Sequence, residues 1–186
     1  MSQSLLKAEH VKISFGNVHA LRDVSLEILP GEIHCLAGEN GCGKSTIIKI
    51  ISGVYQRDGG TIEFDRKKLE KISPIDAINM GIQVIYQDFA LFPNLTVAEN
   101  LALNTELASR KKTVSWKNVR KIAEEAVAKI NFDVDLDEKV EKLSVAQKQM
   151  VAISRALMSN ARLIIMDEPT TALTKKEVNS LFKIIL

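Results

Sequence analysis

The chain has 186 residues, a formal net charge of +2, 46% hydrophobic and 26% charged residues, enough to bury a core in one domain or a little more. So small a net charge, with no basic stripe of interleaved aromatics, argues against nucleic acid as a partner. No apolar run of about 18 residues offers a membrane span, and Met1-Ser2-Gln3-Ser4-Leu5 lacks the regions of a signal peptide. Cys35 and Cys42 are read as free thiols in a reducing compartment. Arg66-Lys67-Lys68 and Arg110-Lys111-Lys112 are read as solvated surface.

Residues 6–28 read as strands. Ala8, His10, Ile13 and Phe15 lead into the turn Gly16-Asn17, and Val18, Ala20 and Leu21 resume. Val24, Leu26 and Ile28 alternate with Ser25 and Glu27, the period of a half-buried antiparallel strand. After the turn signal Pro30-Gly31, Glu32-Ile33-His34-Cys35-Leu36-Ala37 reads as a short apolar strand that buries Cys35. A glycine-rich stretch follows, and Ile47, Ile48, Ile50 and Ile51 then ride a helix that Gly53 can end. Asp58-Gly59-Gly60 turns into the strand Thr61–Phe64. Ser73-Pro74 opens a short helix with Ile75, Ala77 and Ile78 inward and Gly81 beyond its end. Ile82–Tyr86 is a strand that delivers Gln87 into a loop.

From Pro93 the character is helical. Thr96 is placed to cap a helix at Val97, and Trp116, Val119, Ile122, Ala123, Ala126, Val127 and Ile130 make one apolar face. A further helix spans Leu143 to Met158. Leu163-Ile164-Ile165-Met166 is a continuous apolar run, expected of a parallel strand covered on both faces. Thr174-Lys175-Lys176-Glu177 opens a last helix with Val178, Leu181, Phe182 and Ile185 inward. The chain stops inside it without a terminating signal, so the domain is expected to be incomplete at its C-terminus.

Gly38-Glu39-Asn40-Gly41-Cys42-Gly43-Lys44-Ser45-Thr46 fits G-x-x-x-x-G-K-[ST] between an expected strand and an expected helix. Glycines let the backbone wrap an anion, its N–H groups turn inward, and the helix N-terminus adds positive field. Lys44 would reach the β and γ phosphates, and Ser45 would hold Mg²⁺. This reads as a nucleotide site. Asp167, at the end of the apolar strand, is placed to order Mg²⁺ through its water shell, with Glu168 next to polarise an attacking water. Gln87 offers an amide oxygen for the same ion, although a loop glutamine is ordinarily just solvated. Ser144 and Gln147 make a Ser-x-x-Gln capping box, or else mark a helix N-terminus aimed at another chain's phosphate. Both readings stay open.

The order of these elements resembles the ATP-binding subunits of ABC transporters over essentially the whole chain. The resemblance rests on Phe15-Gly16, the loop 38–46, Gln87, Leu143-Ser144-Val145-Ala146-Gln147, Leu163 to Glu168, and Thr171-Ala172-Leu173-Thr174. Ser73-Pro74, Gly81-Ile82, Pro93 and Leu95-Thr96-Val97-Ala98-Glu99-Asn100 further resemble the first half of the tandem ATPases of monosaccharide importers. It implies an α/β P-loop NTPase core, a parallel sheet with flanking helices, joined to an antiparallel β portion and a helical insertion near 94–160. Phe15 would stack on adenine. Gly38, Asn40, Gly41, Cys42, Gly43, Lys44, Ser45 and Thr46 would hold the phosphates of ATP and its Mg²⁺. Gln87 would sense the γ-phosphate, Asp167 assist Mg²⁺, and Glu168 act as general base. Ser144, with Gln147 beside it, would serve a partner's nucleotide.

The implied partners are a second ATPase half, membrane permease subunits and, indirectly, a sugar-binding protein, with the chain peripheral on the cytoplasmic face of the membrane. Three departures stand out. Val145-Ala146 replaces the usual Gly-Gly, Thr174 stands where the family has an acid, and His10, His19 and His34 all precede the P-loop, so none is the switch histidine. An asymmetric pair is implied, this chain's P-loop making its competent site. The rival expectations are a non-transport ABC ATPase and a nucleotide-gated interaction module with vestigial hydrolysis.

Overall fold

The computed structural model describes residues 3–86, 90–108, 114–158 and 161–167, with Lys175, Val178 and Phe182; for 104–108 only the backbone is described. The chain divides into two compact units, Met1–Ile82 and Gln83–Leu186. In the first, β1 (Leu6–Phe15) and β2 (Val18–Ile28) form a hairpin that closes with Phe15 opposite Val18. Its turn holds Gly16 at φ 58, the sign a primed hairpin turn takes at its first central residue. β3 (Gly59–Phe64) pairs with the other edge of β1, and β4 (Lys67–Lys68) with β3, so the sheet runs β2-β1-β3-β4, antiparallel throughout.

The buried side chains of β1 change phase along the strand, from Leu6 and Ala8 to Val11 and Ile13. The extra residue is His10, which bulges outward at φ 54, donates its N–H to Ser25 Oγ at 2.9 Å and meets Asp23 Oδ1 through Nδ1 at 2.8 Å. His10 is exposed, whereas Ala8 two residues before it is buried. Across from the bulge Gly60 sits at φ 84, where a Cβ would stand 2.4 Å from the His10 carbonyl oxygen.

α1 (Lys44–Ile51) buries Ile47, Ile48, Ile50 and Ile51. Gly53 ends it as expected, at φ 77. Gly53 N–H donates to Ile50 O at 3.0 Å and Val54 N–H to Lys49 O at 2.8 Å, closing the last open carbonyls. The strand expected at Glu32–Ala37 does not form a ladder among the described residues, and Ile33, Leu36 and Cys35 are exposed. An apolar run becomes a strand only when its N–H groups find partners, and the four-stranded sheet does not take this segment in. α2 (Pro74–Asn79) carries the expected start: Ser73 and Asp76 form a capping box, whose bonds from the Ser73 hydroxyl and N–H hold the Asp76 carboxyl below its usual range. It buries only Ala77, leaving Ile75 and Ile78 exposed, because under two turns of helix present one residue to the core.

β5 (Ile82–Ile85) lies beside β6 (Leu163–Met166), and Asp167 N–H donates to Ile85 O at 3.0 Å. Only Leu163 of β6 is buried. Ile164 and Met166 pack on a cluster of Ile85, Ile130, Met150 and Ile153, so the strand is covered less completely than its apolar run suggested. α3 (Val97–Ala108), α4 (Trp116–Lys129) and α5 (Val145–Met158) build the main core of this unit, with Val97, Leu101, Val119, Ala123, Val140 and Val151 buried together. Trp116 is 65% exposed, contrary to its expected place on the apolar stripe. It stands in the first turn of α4, and burial begins one turn later at Val119. Val178 is half-buried and Phe182 exposed, while Thr174, Leu181 and Ile185 lie outside the described residues.

Asn100 is fully buried in α3 and ties down the preceding loop. Its Oδ1 accepts from Phe92 N–H at 2.8 Å, and its Nδ2 donates to Phe92 O and Thr96 O, each at 3.0 Å. Thr96 caps the helix as expected, within a box completed by Glu99. Among the described residues no helix is long and apolar enough to cross a membrane.

The bulge supplies a stability test. Gly60→Ala would press its methyl into backbone atoms of Glu9 and His10 at 2.4–2.5 Å and is expected to cost more than about 2 kcal/mol. Gly31→Ala, also at positive φ but with nothing within 4 Å, should cost only about 1 kcal/mol. Urea midpoints of the two variants check the difference.

Candidate functional site

The glycine-rich loop and the start of α1 carry four backbone N–H groups that no acceptor claims among the described residues. Gly41 at φ 83 and Gly43 at φ 98 turn the chain so that Gly43 caps α1 without any side-chain bond. Cys42 N–H donates to Glu39 O at 3.3 Å, and Thr46 and Ile47 N–H both donate to Gly43 O at 3.0 Å. Among the described residues the N–H groups of Gly41, Gly43, Lys44 and Ser45 have no hydrogen-bond acceptor. Lys44 Nζ bends back over the loop, 2.7 Å from Gly38 O and 2.8 Å from Glu39 O. Its positive charge, the open N–H groups and the helix N-terminus together make a strong anion site. Ser45 is exposed beside it, with a hydroxyl suited to a hard divalent cation. These donors fit a nucleotide polyphosphate carrying Mg²⁺. Asn40 is exposed on the same loop.

The loop's position is fixed by a close approach that only glycine permits. A Cβ at Gly43 would lie 2.4 Å from Leu21 Cδ2 and 3.0 Å from Ala20 O. α1 therefore starts directly against β2. A cleft of about 340 Å³, lined by residues 19–24 of β2 with Gly41 and Cys42, opens beside the loop, and the Cys42 thiol lies 3.9 Å from Lys44 Nζ.

Phe15 sits at the hairpin turn of the same unit, 45% exposed. Its ring meets Tyr55 edge-to-face, with centroids 5.1 Å apart and planes at 65°, and Lys49 Nζ lies 5.4 Å over the Tyr55 ring. The neighbouring backbone is held as well: Ser14 N–H donates to Asp58 Oδ2 at 2.8 Å, and Ser14 Oγ lies 2.9 Å from His19 Nδ1. The sequence reading missed Tyr55 and Asp58. Gly53 was the available signal, because a helix ended there returns the next residues toward the helix and its neighbours.

In the second unit, Asp167 follows β6 as expected. Ser144 and Gln147 form the reciprocal capping box at the start of α5: Gln147 N–H donates to Ser144 Oγ at 3.2 Å, and Ser144 N–H donates to Gln147 Oε1 at 3.0 Å. Val145 follows with its branched side chain 46% exposed, and Ala146 is buried. Gln87 and Glu168 lie outside the described residues, as do Thr171 to Thr174.

A family model described as "ABC transporter" matches residues 21–171. The chain is 44% identical over 175 residues to the D-allose import ATP-binding protein AlsA of Escherichia coli K12, covering 92% of this chain and 34% of that protein. It is 42% identical over 182 residues to the ribose import ATP-binding protein RbsA of Hahella chejuensis, covering 98% and 36%. The chain thus spans about a third of the length of these curated relatives. Among solved structures, the ADP conformation of MJ1267, an ATP-binding cassette of an ABC transporter, superposes with a TM-score of 0.83 at 28% identity, covering 99% of this chain and 76% of that one. The dimeric post-hydrolysis cassette MJ0796, bound to ADP and Pi, gives 0.81 at 29%, covering 97% and 81%. The fold is that of the ATP-binding cassette, a P-loop NTPase with an antiparallel β portion and helices.

The thiols give a direct reading of the loop. Cys42 lines the cleft and Cys35 is exposed, so both should alkylate in the free chain, a change from the slow Cys35 that a buried strand implied. MgATP at ten times its Kd should slow Cys42 about tenfold and leave Cys35 unchanged, as followed by mass spectrometry of the two peptides. Equal Cys42 rates with and without MgATP would contradict the loop assignment.

Proposed function

The chain belongs to the ABC transporter family, and on that premise we propose that it binds MgATP in the loop 38–46 and hydrolyses it to drive import of a small sugar. The observation that carries this reading is the set of open N–H groups at Gly41, Gly43, Lys44 and Ser45 with Lys44 Nζ folded over the loop. Phe15 stacks on adenine. Gly38, Asn40 and Cys42 complete the wrap around the phosphates with Gly41, Gly43 and Thr46, and Lys44 bonds the β and γ oxygens. Ser45, Gln87 and Asp167 would hold Mg²⁺ directly or through its waters, and the ion would supply charge neutralisation on the phosphates. Glu168 takes a proton from water as its oxygen attacks the γ-phosphorus in line, the bond to the β–γ bridging oxygen breaks, and ADP leaves. Lys44 steadies the charge that develops.

Residues 1–186 act as one ATPase domain whose helical insertion covers about 94–160. Its partners are a second ATPase half, permease subunits and, through them, a sugar-binding protein, with the domain peripheral on the cytoplasmic face of the membrane. Import of a sugar rests on the two relatives named for ribose and D-allose; the identity of the sugar belongs to other subunits. Ser144 serves the nucleotide of the second half across a head-to-tail pair. Val145-Ala146, in place of two glycines, makes that contribution the weaker one of an asymmetric pair.

Two measurements test this. A fluorescent ATP analogue should bind the chain, and Lys44→Met should weaken it about 10- to 100-fold, the worth of a charged hydrogen bond. Phosphate release by the chain alone should stay near background and rise when a second ATPase half is supplied. Glu168→Gln should then remove about 10²–10⁴ of that rate without changing affinity. Robust turnover by the monomeric chain would refute the two-part site.

Ser144→Ala separates the capping role from the trans role. Losing the cap should cost about 1 kcal/mol of stability, read from a denaturation midpoint. Turnover of the assembled pair should also fall, while ATP affinity of the isolated chain stays constant. A sharp fall in that affinity would sink the trans role.

A further inference from the structure

The ring contact at the hairpin turn is unused by the function derived so far. Phe15 stands at a turn, 45% exposed, and a ring so placed has freedom about χ1 and χ2 unless something fixes it. Tyr55 does so from outside the hairpin. It comes from the far end of α1, where Gly53 reverses the chain, and Tyr55 N–H donates to Lys49 O at 3.0 Å. That bond sets the Tyr55 backbone against the helix end, and the ammonium of Lys49 itself lies 5.4 Å over the Tyr55 ring. The Tyr55 ring then meets Phe15 edge-to-face at 5.1 Å, leaving nearly half of Phe15 open. One short helix thus begins at the phosphate loop, and the residue that braces the aromatic stands four positions past its end.

We propose that Tyr55 is a positioning residue for base recognition: it holds the Phe15 ring in the orientation that accepts a nucleobase. The inference rests on the reading that Phe15 stacks on adenine. An aromatic already fixed pays less ordering entropy on binding than a free one. Tyr55 acts through Phe15 and not on the phosphates, so its effect is confined to ligands that carry a base. Because an edge-to-face contact needs only the aromatic ring, phenylalanine at position 55 serves as well.

The test compares MgATP with magnesium tripolyphosphate, which has the phosphates and no base, by calorimetry on the chain and its variants. Phe15→Leu and Tyr55→Leu should each weaken MgATP, the latter by about threefold to tenfold, the worth of an aromatic pair. Both should leave tripolyphosphate unchanged. Tyr55→Phe should bind MgATP like the parent, and Phe15→Leu combined with Tyr55→Leu should be no weaker than Phe15→Leu alone. If Phe15→Leu weakens MgATP while Tyr55→Leu does not, the positioning role is wrong and the stacking reading survives. If Phe15→Leu has no effect, the stacking reading falls and this inference with it. Tyr55→Met fills the same site without a ring and decides the case should Tyr55→Leu lose its fold. Equal loss of both ligands in both variants would make Tyr55 a residue of the fold alone and overturn the proposal.

Discussion

A polyphosphate can be held by backbone only where several N–H groups point the same way and nothing else claims them. That requirement sets the first unit. It calls for left-handed φ at Gly41 and Gly43, which side chains resist, and it forbids any cap that would occupy the helix N-terminus. The absence of a Cβ at Gly43 also lets α1 start against Leu21 and Ala20. The loop is thereby tied to β2, and β2 to the hairpin that carries Phe15. The four buried isoleucines of α1 anchor this assembly in the core. A loop of glycines, poor in contacts of its own, thus has its conformation fixed by its neighbours.

Where a segment's own residues determine its conformation, the sequence was legible. The hairpin turn at Gly16, the closure at Gly53 and the boxes at Ser73, Thr96 and Ser144 all formed as their residue types required. Conformations that depend on distant partners were not legible. The run from Glu32 to Ala37 has the composition of a strand, yet strand formation is decided by another strand's edge. Trp116 has the right spacing for the apolar stripe, but helical period says nothing about how far along the axis the neighbouring helices reach. The bulge at His10 lies between these cases: the shift of apolar positions from Leu6 and Ala8 to Val11 and Ile13 is present in the sequence, though without the partner strand it reads as irregularity. Of the candidate site, the phosphate loop was legible from its motif. The brace on Phe15 was not, because it joins residues 40 apart that share no pattern.

Ser144 keeps hydrogen-bonding capacity in reserve while it caps α5. Its oxygen accepts from Gln147 N–H, which uses a lone pair and leaves the hydroxyl hydrogen available to donate. A serine that caps its own helix is therefore still able to offer a proton outward, to an anion beyond the helix end. The exposed branched side chain of Val145 next to it narrows the approach. Access to this helix start is thus limited by shape, with the hydrogen-bonding capacity of Ser144 intact.

Asn100 has a mechanical consequence. It bonds both the N–H and the carbonyl of Phe92 from inside α3, eight residues along the chain, while Val97 and Leu101 on the same helix are locked in the core. Residues 92–100 therefore cannot flex independently of the helix. To free Phe92, a buried amide must lose its partners, so the loop's local unfolding is bound to that of α3. Any push on Phe92 is passed to α3 as a rigid displacement, with little lost in bending of residues 92–96. A covalent loop has become a stiff arm of the helix that follows it.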